Sequence, residues 1–183
     1  MQVVIRRTIG IGCAAMVAVA SLPHASRAQN APPAQESALL DSALAVPGLR
    51  IEYRWVQPTT VPPRDRGQAY RDPISGGTLT LAKDAAFDLS VAVGVLAHNG
   101  PGGVSVMLRL SVAGADSLLK VTTGHQQQDI GVVINGRLVS IATVATPLGG
   151  PLPVMTDLVP AQARVLMDRI RSAIPHAEDR PPT

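Results

Sequence analysis

A chain of 183 residues has room for one domain and short tails, and 46 % hydrophobic residues supply a core, which excludes global disorder despite 16 Gly and 16 Pro. Sixteen Lys and Arg stand against 13 Asp and Glu. That formal charge of +3 points to nucleic acid only if the cations lie on the folded surface.

The surplus sits at the start of the chain. Arg6 and Arg7 precede an apolar run of small residues from Thr8 to Leu22, and Ser26-Arg27-Ala28 has the small-x-small form of a cleavage site. Residues 1–28 therefore read as a signal peptide. The run stops at Pro23 and His24, short of the roughly 20 apolar residues that a membrane span needs. Arg6-Arg7-Thr8-Ile9 also fits a twin-arginine signal, and by either route the product crosses a bacterial inner membrane and is periplasmic or secreted. Cleavage after Ala28 removes Arg6, Arg7 and Arg27 and no acid, leaving 155 residues with 13 basic and 13 acidic side chains. A neutral domain has little with which to release counterions from a phosphate backbone, so nucleic acid is not the expected partner. The single cysteine, Cys13, leaves with the leader, so the mature domain has neither disulfide nor thiol chemistry.

Residues 29–47 are rich in Ala, Ser, Pro and Gln and read as a flexible linker with a short helix at Ser37 to Ala45. The domain is expected over 48–174. Leu49, Ile51, Tyr53 and Trp55 alternate with Arg50, Glu52 and Arg54, the period of a strand with one buried face. Residues 57–77 carry Pro58, Pro62, Pro63 and Pro73 with Gly67, Gly76 and Gly77, a spacing that predicts a long loop without regular structure. Thr78 to Ala82 reads as a short strand. Val91, Val93 and Val95 lead into His98-Asn99-Gly100-Pro101-Gly102-Gly103, and Val104, Val106, Leu108, Leu110 and Val112 run back, which predicts a hairpin with a wide glycine-rich tip. That tip opens no helix and lacks a lysine, so it is not a phosphate loop.

Gly114 to Thr123 places Ala115, Leu118, Leu119 and Thr122 on one helical face, with Gly124 expected as a left-handed stop. Ile130, Val132 and Ile134 alternate into Asn135-Gly136, and Arg137 to Ala145 returns; Asn-Gly suits a type I′ turn. Pro147, Gly149, Gly150, Pro151 and Pro153 break the chain before a brief extended piece at Val154 to Thr156. A last helix starts at Pro160 and ends near Ala173, with Ala163, Leu166, Met167 and Ile170 on one stripe. Residues 175–183 read as a disordered polar tail. The order of elements predicts an α+β fold, a mainly antiparallel sheet with two helices packed on one face.

From Leu79 to Ala173, and most densely over Val104 to Ile170, the sequence resembles the periplasmic P1 head subdomain of SecD, the Sec translocase accessory protein. The resemblance rests on Val104-Ser105-Val106-Met107-Leu108, Gly114-Ala115, Val121-Thr122-Thr123, Val132-Val133-Ile134-Asn135-Gly136, Leu138-Val139-Ser140, Gly149-Gly150 and Ala163-Arg164-Val165-Leu166. Asn135 stands where the family prefers Asp, Asp157 where a Gly is usual, and Val159 where Ser or Thr would cap the last helix. The resemblance implies the head without the transmembrane motor, and hence a noncatalytic envelope domain that binds extended polypeptide or another envelope protein in the service of export.

The residues themselves offer little chemistry. His98, His125 and His176 are scattered and form no metal-ligand spacing, there is no Gly-x-Ser-x-Gly elbow, and no cofactor is expected. The alternative is a periplasmic hydrolase or small-ligand-binding protein, with His125 beside Ser117 or Asp129 as its pair and the 57–77 loop as a lid. For polypeptide contact, Leu148, Leu152, Val154 and Met155 lie in a Pro/Gly-rich connection that is expected to leave apolar surface exposed.

Overall fold

The computed structural model describes residues 4, 5 and 33–174. The leader's apolar run, its cleavage site and the tail at 175–183 lie outside the described residues. In chain order the elements are β1 (Val4–Ile5), α1 (Pro33–Leu44), β2 (Ile51–Trp55), β3 (Gln68–Arg71), β4 (Thr78–Leu81), β5 (Phe87–Asp88), β6 (Ala92–Gly100), β7 (Gly103–Leu110), α2 (Val112–Thr123), β8 (Asp129–Ile134), β9 (Arg137–Thr143), β10 (Leu152–Leu158) and α3 (Pro160–Ala173). The strands form three antiparallel sheets of order β1-β9-β8-β2-β5, β10-β7-β6 and β3-β4.

The class is α+β, as the sequence implies, but the expected single sheet with two helices is replaced by three sheets and three helices among the described residues. The cause lies in the Pro/Gly-rich connection. Instead of three extended residues it delivers the seven-residue strand β10, which pairs with β7 through two register shifts and draws the 92–110 hairpin away from β8 and β9. Pro153 disguises this strand in the sequence, and it is tolerated because β10 is an edge strand.

Alternation on β2 and β8 sorts the two faces of the five-stranded sheet. Ile51 and Tyr53, paired with Ile134 and Val132, face the main core together with Leu118, Leu166 and Ile170 from the helices. Burial pushes the Tyr53 phenol above its ordinary range, and its hydroxyl donates to the carbonyl of Pro153 at 3.0 Å, linking the two larger sheets. On the other face Val133, Leu138 and Ile141 form a second cluster with Tyr70 and Leu81. Tyr70 belongs to the stretch expected to be structureless. It lies on β3, after a 3-10 turn at Pro63–Asp65, and the β3-β4 hairpin covers the sheet instead of forming a free lid. The apolar residues Tyr70, Leu79 and Leu81 give the hairpin a face to bury, and that outweighs the prolines around it.

The flexible linker is corrected as well. Residues 33–44 form α1, whose Leu40, Ala43 and Leu44 are buried in the main core. Asn135 secures it: the side-chain Nδ2 donates to the carbonyl of Ala43 at 2.9 Å and Oδ1 accepts from the Arg50 amide at 2.8 Å. Asn135 and Gly136 both have positive φ, 47° and 79°, as a type I′ turn requires. Gly124, by contrast, is right-handed at φ −82°, and the left-handed residue of that connection is Gln127 at 62°.

On the face of β2 opposite the main core, Glu52 is 6 % exposed and held between two guanidinium groups. Arg54 Nε donates to Glu52 Oε2 at 2.8 Å, Arg50 pairs with Oε1, and Arg54 Nη1 donates to the carbonyl of Ala82 at 2.9 Å. Burial pushes the Glu52 carboxyl up, but the hydrogen bonds and charges of Arg54 and Arg50 together outweigh it and hold the group below its ordinary value. A carboxyl depressed in the folded state contributes stability that is present above its unfolded pKa, near 4.3, and is lost as pH falls through the folded value. The denaturation midpoint is therefore expected to drop as pH is lowered from about 5. Glu52→Gln should flatten that part of the profile, measured by urea unfolding at several pH values, and an unchanged slope would remove Glu52 from the account.

Candidate polypeptide-binding edge

The longest free strand edge belongs to β6. Its nine residues pair with β7 from Ala92↔Leu110 to Gly100↔Gly103, and among the described residues the sheet ends there. The expected wide tip is a two-residue turn, Pro101-Gly102. It is tight because it rests on β10: a Cβ on Gly102 would stand 2.3 Å from Asp157 Oδ1, and one on Gly103 2.8 Å from the Asp157 backbone.

The turn also fixes which backbone groups of β6 are free. Residues flanking a two-residue antiparallel turn exchange both hydrogen bonds, so Gly100 and Gly103 form such a pair. The pattern then alternates, giving His98 with Ser105 and Leu96 with Met107 as the next bonded pairs. The amides and carbonyls of Val95, Ala97 and Asn99 consequently point away from β7, toward the open edge. Val95 and Ala97 share a face with Val104, Val106 and Leu108, opposite which α3 packs.

Helix α3 closes one side of this edge. Pro160 supplies the pre-set first turn, Val159 gives no side-chain cap, and Ala163, Leu166 and Ile170 are buried beneath. Beside them α3 and the hairpin enclose an open groove of about 280 Å³. Its floor is Ala97, Val104, Ala163 and Met167, and Arg164 and Arg171 stand at its rim. A strand edge next to a helix, with apolar floor between them, is the geometry in which an extended peptide gains main-chain bonds from the strand and side-chain contacts from the groove.

The residues singled out in the sequence fall elsewhere. Leu148, Leu152, Val154 and Met155 are 6, 2, 1 and 3 % exposed and belong to the main core, so the apolar surface expected of them is not on the outside. They are consumed by β10 and its approach, where pairing with β7 turns an irregular connection into core. His125 stacks on Trp55 with ring centroids 4.4 Å apart and an interplanar angle of 10°, and its Nδ1 lies 2.8 Å from the carbonyl of Val121. Asp129 Oδ1 accepts from Thr143 Oγ1 at 2.5 Å. The stack uses the Trp55 face that a ligand platform would need. Among the described residues no group of three or more His, Cys, Asp or Glu is gathered as for a metal ion. The β6 edge was hidden because strand periodicity reports burial of side chains and says nothing about which strand ends a sheet.

No protein-family model matches the sequence, and no curated protein matches it. Solved structures do. The fold superposes on SecDF, a membrane component that enhances protein export, with a TM-score of 0.54 and 18 % identity, over 91 % of this chain and 79 % of that one. A second match, SecDF in a super-membrane-facing form, has a TM-score of 0.54 and 15 % identity over 84 % of this chain. The chain spans only 21 % of that longer molecule. The likeness is one of fold: the domain has a SecDF-like fold.

Proposed function

We propose that this domain is an exported, noncatalytic accessory of protein export that holds extended polypeptide by adding it as a strand to β6. The observation that carries the reading is the open β6 edge, with the backbone groups of Val95, Ala97 and Asn99 turned outward beside the α3 groove. Proteins usually guard such edges with lysine, proline or a covering loop. Residues 92–100 contain no charged residue and no proline, and Leu96 is 37 % exposed. The SecDF-like fold adds support, since SecDF enhances protein export, although a fold by itself does not carry an activity. The leader read from residues 1–28 supplies the route to the periplasm. Among the described residues no helix is long and apolar enough to cross a membrane, so a link to translocation would run through contact with other polypeptides.

Amide NMR tests this directly. Titration of the purified protein with reduced, carboxymethylated α-lactalbumin, a permanently unfolded chain, is expected to shift the amides of Val95, Ala97 and Asn99 and slow their hydrogen exchange. Native α-lactalbumin should leave them unchanged. An unaltered spectrum, or shifts confined to other elements, would overturn strand addition at β6.

A further inference from the structure

We infer that the β6 edge selects extended segments in which Asp or Glu alternates with apolar residues, an inference that rests on strand addition at that edge. An added strand turns alternate side chains to opposite faces of the sheet. Those opposite Ala97 share its face and enter the α3 groove; those between them lie over Leu96 and its neighbour Met107. The two faces differ in chemistry. Leu96 and the partly exposed Met107 make an apolar shelf. The groove has two arginines at its rim.

Their placement follows from the helix. Arg164 and Arg171 are seven residues apart, hence on one stripe and separated by about 10 Å along the axis. Alternate residues of a strand are about 7 Å apart, so two acids on one face of the segment fall within reach of the two flexible arginine side chains. Arg164 makes no ion pair among the described residues. Arg171 Nη1 meets Asp168 Oδ1 at 2.8 Å, but their side chains are 56 and 61 % exposed, so the pair is weak and displaceable. A third cation, Arg109, pairs with Gly94 and folds over it on the other face of the sheet, beyond the Leu96 shelf, so it takes no part in the groove's rim. The opposing charge at the hairpin tip is Asp157, which rests against Gly102 and Gly103. A basic rim over an apolar floor fits an acidic face of the added strand and repels a basic one.

Three ten-residue peptides separate this inference from the reading beneath it: valine alternating with aspartate, with serine and with lysine. Fluorescence anisotropy at low salt is expected to rank them in that order, with aspartate at least tenfold tighter than lysine and the difference erased near 1 M salt. The double variant Arg164→Glu/Arg171→Glu changes two exposed side chains and should invert the order, with only a small loss of thermal stability from the broken Asp168 pair and the acid in the last turn of α3. Equal binding of all three peptides at β6, or a preference for lysine, would overturn the acidic selection and leave strand addition standing. Failure of all three to bind, while amide NMR shows a folded protein, would overturn both.

Discussion

Replacing Ala97 with proline is expected to weaken binding of unfolded polypeptide more than tenfold while the domain stays folded. Ala97 lies at the middle of the outward-facing set, and its amide is turned to the open edge instead of to β7. Proline removes that one donor, and its ring occupies the space where the carbonyl of an added strand would approach. Within a sheet, proline is accepted where the missing N–H faces solvent, and the preceding residue, Leu96, is already extended as a pre-proline residue prefers. A single lost hydrogen bond is worth about 1 kcal/mol. The ring also blocks the register beyond it, so the bonds at Val95 and Asn99 are not made together. The neighbouring change Leu96→Pro provides the contrast. The amide of Leu96 bonds to Met107 within the sheet, so that variant loses a ladder hydrogen bond and leaves a carbonyl unpaired, a cost of about 1–3 kcal/mol. Peptide anisotropy and urea unfolding on the two variants separate the effects. Full binding by a folded Ala97→Pro protein would exclude strand addition at this edge.

How far the sequence shows this site depends on which physical signal each part leaves. The strand Ile51–Trp55, the Asn135-Gly136 turn and the helix from Pro160 are visible because burial imposes a period and left-handed dihedrals impose a residue type. The strand β10 is not, because two register shifts and Pro153 erase its alternation, and the same interruption makes its buried residues look like exposed connection. α1 is visible as a helix but not as a core element: only three of its side chains, Leu40, Ala43 and Leu44, are described as buried, too few to stand out from an Ala-rich stretch. Tyr70 and Leu81 reach the far face of the sheet through a hairpin that prolines conceal. The groove arginines leave no local signal at all. Arg164 and Arg171 read as the solvated face of an amphipathic helix until β6 is placed beside them. Pairing order, which strand ends a sheet and which helix flanks it, is a long-range property that a local period does not encode.

The largest single loss of stability is expected at Leu166. Its side chain is fully buried on α3, between Ala163 and Ile170, against the main core. A 14-residue helix is marginal alone in water, so α3 exists because this stripe is covered. Leu166→Ala removes the covered atoms and leaves a void that a closely packed interior fills only in part, a cost of about 3 kcal/mol. A domain of this size has about 5–15 kcal/mol in total, so the urea midpoint should fall markedly. Arg164→Ala on the exposed side of the same helix should stay within about 0.5 kcal/mol, and a similar loss in both variants would mean that α3 is not held by its buried stripe. Because α3 packs against β6, β7 and β10, loosening it also moves the wall of the groove. Amide exchange in Leu166→Ala should therefore rise in α3 and at Leu96 and His98, whose amides bond to β7, more than in β8 and β9, which lie in the other large sheet. Uniform acceleration across both sheets would show instead that the groove wall and the five-stranded sheet open as one unit.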